Sequence, residues 1–136
     1  MNATTRDSSP PPEQDHAALF DVTVLPGALQ SDDPQLLEMF YRMFLELSED
    51  AWPQVGPVGQ AADLPVVRHV AHKLRSSAAS VGAMALAIEL ESLERAAERG
   101  DSASVEQGLA LAGGLLESTR RAMATYLEEL AWGAGS

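Results

Sequence analysis

The chain has 136 residues, a length that suits one domain, and its 46% hydrophobic content with only 5% aromatic residues implies a modest core of Leu, Val, Ala and Met. A formal net charge of −11 and a pI of about 4.5 argue against a nucleic-acid face and against attraction to an anionic membrane, while permitting a partner with a basic patch. There are no cysteines, which removes disulfides, thiolate metal sites and thiol nucleophiles.

Residues 1 to 18 are Ser, Thr, Pro and charge, with a triple proline at Pro10 to Pro12. Such a segment buries too little apolar surface to offset its ordering entropy and reads as a disordered tail. It has no apolar core that would mark a secretory signal. The folded domain is expected over 19–132. Leu25 to Gln30 is a short candidate helix with Pro26 near its start. Asp33 followed by Pro34 predicts a helix start, with Leu36, Leu37, Phe40, Phe44, Leu47 and Ala51 as the apolar stripe. Pro53 should end that helix, and a Pro- and Gly-rich loop follows. Asp63 and Pro65 open the next helix, which should run to about Val81. Beyond Gly82 the stripe Leu86, Leu90, Leu93, Ala97 predicts another helix, stopped at Gly100. Asp101 or Ser102 then caps a last helix, with Val105, Leu109, Ala112, Leu116, Thr119, Met123, Tyr126 or Leu127, and Leu130 inward. Gly113 and Gly114 weaken this helix locally, by about 1 kcal/mol each relative to Ala.

No stretch alternates with period two, and no internal repeat is visible. The longest apolar run, Gly108 to Leu116, is far short of the roughly 20 residues of a membrane span. Four long helices with short connections predict an all-α protein. The expected architecture is an antiparallel up-down four-helix bundle with a short extra N-terminal helix. A soluble, cytoplasmic protein is expected. Trp52 and Trp132 read as edge packing, Leu19, Phe20 and Leu25 as packing at a bundle end, and Met39, Met43, Met84 and Met123 as core filler.

The stretch AHKLRSSAASVGA, residues 71 to 83, carries the candidate chemistry. On a helical wheel Val67, Val70, Ala71, Leu74, Ala78 and Val81 form the core stripe, and His72 lies ~140° from its centre. The neighbours of His72 three and four residues away are Arg68, His69, Arg75 and Ser76, with Ala79 one turn further on. An exposed imidazole has an unperturbed pKa of about 6.5 and can act as a nucleophile. Arg68 and Arg75 could stabilise an added phosphoryl group by charge-assisted hydrogen bonds, and the small Ser76 and Ala79 leave room for a partner's cleft. His69, ~200° from the stripe centre, is the competing candidate. Lys73 sits on the opposite flank and suits a minor docking role. Glu89, Glu91 and Glu94 read most simply as a solvated face, with the alternative that one of them fixes the His72 tautomer through Nδ1.

This stretch resembles the histidine-containing phosphotransfer (HPt) domains of multistep phosphorelays. Their core pattern is roughly Ala-His-x-Leu-Lys-(Gly or Ser)-Ser-(Ser or Ala)-x-x-(Leu or Val)-Gly-Ala. Ala71, His72, Leu74, Arg75, Ser76, Ser77, Ala78, Val81, Gly82 and Ala83 fit it, with Arg75 replacing the usual Lys. LAIELESLERAAERGD is similar to the family's next helix, and DDPQLLEMFYRMFLELSEDA to its first long one, so the resemblance covers about residues 20 to 130.

The resemblance implies a phosphocarrier rather than a kinase. His72 would take a phosphoryl group on Nε2 from a receiver-domain aspartate and pass it to another receiver. The implied partners are receiver domains of a hybrid histidine kinase and of a response regulator. No cofactor is implied, magnesium being supplied by the receiver. No Gly-rich ATP loop or kinase signature set is present. Met1 and the polar tail favour a free-standing carrier over a domain cut from a larger kinase. Two alternatives are an adaptor that binds a receiver or kinase without carrying phosphate, and a metal site on His69 and His72. The metal site lacks obvious further ligands and faces two arginines.

Overall fold

The computed structural model describes residues 19–57 and 60–135, with side chains as far as Trp132. The tail expected over residues 1 to 18 and part of the GPVG loop lie outside the described residues. Among the described residues the chain forms helices α1 (Val24–Leu29), α2 (Pro34–Ala51), α3 (Leu64–Ser80), α4 (Met84–Arg99) and α5 (Ser102–Gly135), with a 3-10 turn at Trp52–Val55 and no strand. The protein is all-α. Helices α2 to α5 make the bundle, α3 packing along α4, α4 along α5, and α2 against α5 and α3.

Local sequence explains each boundary. Asp33 accepts a hydrogen bond from the Gln35 amide and Asp63 from the Val66 amide, each in an extended N-cap conformation with proline just inside the helix. Asp101, rather than Ser102, caps α5 by accepting from the Ser104 amide at 3.1 Å and its hydroxyl at 2.7 Å. Pro53 stops α2 and sits in the 3-10 turn, so the first residues of the expected loop are ordered as helix-like backbone. α3 ends in a Schellman motif: the Ala83 amide donates to the Ala78 carbonyl and the Gly82 amide to Ala79, with Gly82 left-handed at φ +89°. α4 ends the same way, with Asp101 to Ala96, Gly100 to Ala97, and Gly100 at φ +72°. α5 runs unbroken through Gly113 and Gly114.

The core is continuous along the bundle. Leu74, Leu86, Leu90, Leu93 and Met123 are essentially sealed from solvent, each such side chain contributing about 1.5–3 kcal/mol by burial. Two expectations are corrected. In α2 the buried residues are Leu37, Tyr41, Phe44, Ser48 and Ala51, while Leu36, Phe40 and Leu47 are only partly buried. The inward arc is therefore rotated by about one residue, because Tyr41 completes an aromatic trio with Phe20 and Tyr126, ring centroids 5.2 to 5.9 Å apart and edge to face. Met39, Met43 and Met84 are not core filler but 50%, 55% and 47% exposed; only Met123 of that group is buried. Trp52 is an edge residue packed over Gly113, and Trp132 is exposed.

Candidate functional site

Small residues bring α3 close to α4. Ala71 and Ala78 are fully buried on α3, Ala87 nearly so on α4, and they leave little between the two backbones. Val67, Val70 and Leu74 fix the rotation of α3 about its own axis by filling the core. The outward shoulder of α3 then carries His72, whose side chain is 60% exposed, beside Glu94, whose side chain is 10% exposed.

The contact between them defines the site. His72 Nδ1 lies 2.9 Å from Glu94 Oε2. The second carboxylate oxygen, Oε1, accepts from Arg75 Nε at 2.7 Å. Burial pushes the Glu94 carboxyl up, but the hydrogen bonds from Arg75 and His72, and their charges, outweigh it and hold the group below its ordinary value of 4.5. Glu94 is thus a carboxylate that can only accept, so the proton of a neutral His72 ring sits on Nδ1. The lone pair is left on Nε2, at the exposed edge of the ring. Arg75 Nη2 stands 3.5 Å from Nδ1. With Nδ1–H given to Glu94, this approach places positive charge beside the ring without a hydrogen bond.

The other residues singled out in the sequence are distributed along the same helix. Arg75 is brought to the imidazole, but its Nε is committed to Glu94. Arg68 is exposed and leans to α4, 3.5 Å from Glu98. His69 and Lys73 are exposed and make no hydrogen bond or ion pair among the described residues. Ser76 is exposed, its carbonyl accepting from the Ser80 hydroxyl at 2.9 Å, and Ala79 is half-buried. One turn after His72 on the same side of α3, Ser76 and Ala79 are small. Among the described residues no group of three or more His, Asp or Glu side chains is placed to hold a metal ion.

Of the three glutamates weighed as a solvated face, Glu94 is not solvated. The signal was present in the sequence: Glu94 falls inside the α4 core arc, between Leu90, Leu93 and Ala97. A carboxylate buried in an apolar arc demands partners. Glu91 instead pairs along its own helix with Arg95 at 2.9 Å.

On the other side of α3 an apolar groove of about 510 Å³ opens between α2 and the C-terminal half of α3. Phe40, Met43, Phe44, Leu47 and Val81 form its walls, with Glu46, Asp50, Ser77 and Ser80 at the polar positions. The partly exposed Phe40 and Leu47 and the exposed Met43 thus share one surface rather than being scattered.

Comparison with known proteins gives one family. The model described as Hpt domain matches residues 35–131, from the start of α2 to the last turns of α5. No curated protein and no solved structure matches the chain.

Proposed function

Because the chain belongs to the Hpt domain family, we propose that it is a phosphocarrier of a two-component phosphorelay, with His72 as the residue that carries the phosphoryl group. Domains of this family are phosphocarrier modules without kinase activity of their own. The single observation that carries the assignment to His72 is the 2.9 Å contact of its Nδ1 with a buried carboxylate, which leaves Nε2 bare and outward. His69, the other imidazole on this helix, has no such partner among the described residues.

The reaction needs little from this chain beyond position and charge. Nε2 attacks the phosphorus of a receiver aspartyl phosphate, the bond from phosphorus to the acyl oxygen breaks, and the aspartate leaves as carboxylate. A second receiver aspartate reverses the step. The metal that such a step uses would be held by the receiver's carboxylates. Arg75 supplies positive charge beside the ring, and Arg68 and Lys73 extend it along α3. Ser76 and Ala79 leave the space above the ring open to the receiver's cleft. The groove bounded by Phe40, Met43 and Leu47, across α3 from the imidazole, supplies a second, apolar surface for a receiver domain. The donor and acceptor are proposed to be receiver domains of a hybrid kinase and of a response regulator, meeting this chain in the cytoplasm.

The test is transfer of label from a receiver domain charged with a small-molecule phosphodonor and magnesium. The expected result is acid-labile, base-stable label on this chain, retained in His69→Gln and abolished in His72→Gln. Binding of charged receivers without label on the wild-type chain would overturn the carrier reading in favour of an adaptor. Label lost with His69 instead would move the site.

A further inference from the structure

We propose that the apolar groove between α2 and α3 is a docking site for this chain's own N-terminal segment. Pro10 to Pro12 lie against Phe40, Met43 and Leu47, and Arg6 reaches the acidic positions Glu46 and Asp50. The segment then competes with a receiver domain for the same groove. That competition rests on the phosphocarrier reading; the contact itself does not.

The point at which the chain enters the fold supplies the first argument. Phe20 packs edge to face on Tyr41, with ring centroids 5.2 Å apart, and the Asp21 amide donates to the Gly82 carbonyl at 3.0 Å. Tyr41 adjoins Phe40 in the chain and Gly82 adjoins Val81, and Phe40 and Val81 both line the groove. The residues before Leu19 therefore leave the bundle beside the groove.

Length supplies the second. The α2 wall from Phe40 to Asp50 is about 15 Å long at 1.5 Å per residue. The links from Leu19 back to Pro12 reach about 23 Å when extended, and those from Pro10 back to Arg6 about 13 Å more. Three prolines in a polyproline II conformation cover about 9 Å of that wall. The prolines can thus sit along the apolar part while Arg6 comes to the carboxylates.

Chemistry supplies the third. Phe40, Met43 and Leu47 lie on one side of α2, Phe40 and Leu47 half-buried and Met43 55% exposed. A polyproline II segment has little conformational freedom to lose, and its flat rings pack on aromatic and apolar grooves. The methionine side chain adapts to such rings because it is unbranched and polarizable. Carbonyls of a proline run have no partners within their own helix. The Ser77 hydroxyl lines the groove, makes no hydrogen bond among the described residues, and can donate to one. Glu46 and Asp50 are exposed and make no ion pair among the described residues, whereas Glu49 is held by Arg120 at 2.8 Å. Arg6 is the one Lys or Arg in residues 1–18. A second copy of the chain is a poorer occupant, because each copy carries a net charge of −11. A tethered segment, by contrast, meets the groove at an effective concentration on the order of millimolar, so a contact too weak to hold a separate molecule is populated. A receiver that uses the groove then binds only in the fraction of time it is open.

The chain has no cysteine, so Ser8→Cys gives a single attachment point for a nitroxide spin label. The readout is NMR of carbon-13 methionine methyls in the full chain. Met43 lines the groove. Met84, 47% exposed, is two residues beyond Gly82, which bonds Asp21, and reports on a segment that merely hangs from Leu19. The expected result is loss of the Met43 signal with Met84 retained. Replacing Pro10, Pro11 and Pro12 together with serine is expected to restore Met43. Arg6→Glu should restore it partly at low salt, with less effect at high salt. Equal broadening of the two methyls would overturn the proposal, as would selective broadening that survives the triple replacement. Broadening of Met43 only between a spin-labelled copy and an isotope-labelled one would overturn it in favour of a second copy in the groove.

The second readout is binding of a receiver domain. The triple-serine chain is expected to bind about two- to tenfold more tightly than wild type. Equal affinities, with phosphoryl transfer intact, would overturn the competition. Failure of every charged receiver to label the wild-type chain would defeat the carrier reading and leave the methyl result standing.

Discussion

Glu94 joins two partners on one carboxylate, so its removal is felt in stability as well as in chemistry. Glu94→Ala is expected to lower the unfolding free energy by about 1.5 kcal/mol, the low end for hydrogen bonds to a charged group because both partners are partly solvated. Urea denaturation at neutral pH measures it. The pH dependence has a definite sign. The folded-state pKa of Glu94 lies below its ordinary value of 4.5, so the unfolded chain binds the proton first as the solution is acidified. The contribution is full above about pH 4.5 and disappears as pH falls through the lower folded value. The wild-type and Glu94→Ala stability curves should therefore converge in acid, and parallel curves down to that range would contradict this assignment. Tyr41 offers the opposite case. Burial, then the neighbouring Tyr126 and Asp21, pushes its hydroxyl up to about 12. The hydroxyl oxygen is buried with no hydrogen-bond partner among the described residues. Tyr41→Phe is expected to leave neutral-pH stability within about 0.5 kcal/mol or raise it, since no native hydrogen bond is lost. It should also remove a loss of stability that sets in as pH rises above 10.0, where the unfolded tyrosine ionises and the folded one does not.

At the scale of elements, the strap before α1 and the α3–α4 turn are one structure. Phe20 is 2% exposed against Tyr41 and Tyr126, and the Asp21 amide donates to the Gly82 carbonyl at 3.0 Å. Gly82 is required there twice over. Its φ of +89° is a conformation other residues adopt only under strain, and a Cβ would run into the Asp21 carbonyl oxygen. Gly82→Ala is expected to cost about 2–3 kcal/mol. Gly27→Ala, in α1 with nothing within 4 Å of the added methyl, is the control and should be neutral or slightly stabilising. Thermal unfolding of the two variants side by side checks both. Because the Gly82 motif ends α3, its loss should also loosen the register of α3 on α4, which places His72 against Glu94. The α2 helix illustrates a different element-scale effect. Its sequence carries two adjacent apolar arcs, one through Leu37, Tyr41 and Phe44 and one through Leu36, Phe40, Met43 and Leu47. Both satisfy helical periodicity, and the aromatic partners Phe20 and Tyr126, supplied by distant parts of the chain, decide which is buried.

The whole molecule is acidic, with a net charge of −11, yet α3 shows solvent Arg68, His69, His72 and Lys73 together. A cationic helix on an anionic body orients an approaching acidic cleft toward that one face. Replacing Arg68 and Lys73 together with glutamate is expected to slow association with a receiver domain by about tenfold or more at low salt, with a much smaller effect at high salt. Stopped-flow binding over a range of ionic strength reads this directly, and an effect independent of salt would argue against steering. No described helix is long and apolar enough to cross a membrane.

Much of this organisation is local, and local features are what a sequence states. The caps at Asp33, Asp63 and Asp101, the stops at Pro53, Gly82 and Gly100 and the amphipathic helices they bound, with His72 off the apolar stripe of α3, all follow from interactions within a few residues, which spacing and residue type determine. The sequence by itself also brought Arg75 within reach of the imidazole, since three-residue spacing on a helix is enough. Spacing already put Glu94 on the inward arc of α4, but only the tertiary structure brought that carboxylate against the ring. Glu94 is 22 residues from His72 in the chain, and its selection over Glu89 and Glu91 depends on the rotation of α4 against α3, which is set by packing across the whole core. The same holds for the turned stripe of α2 and the exposed methionines beside it. Amphipathic periodicity tells a helix how wide its apolar face is; the partners that fill the bundle determine which part of that face is buried and which part stays open to solvent.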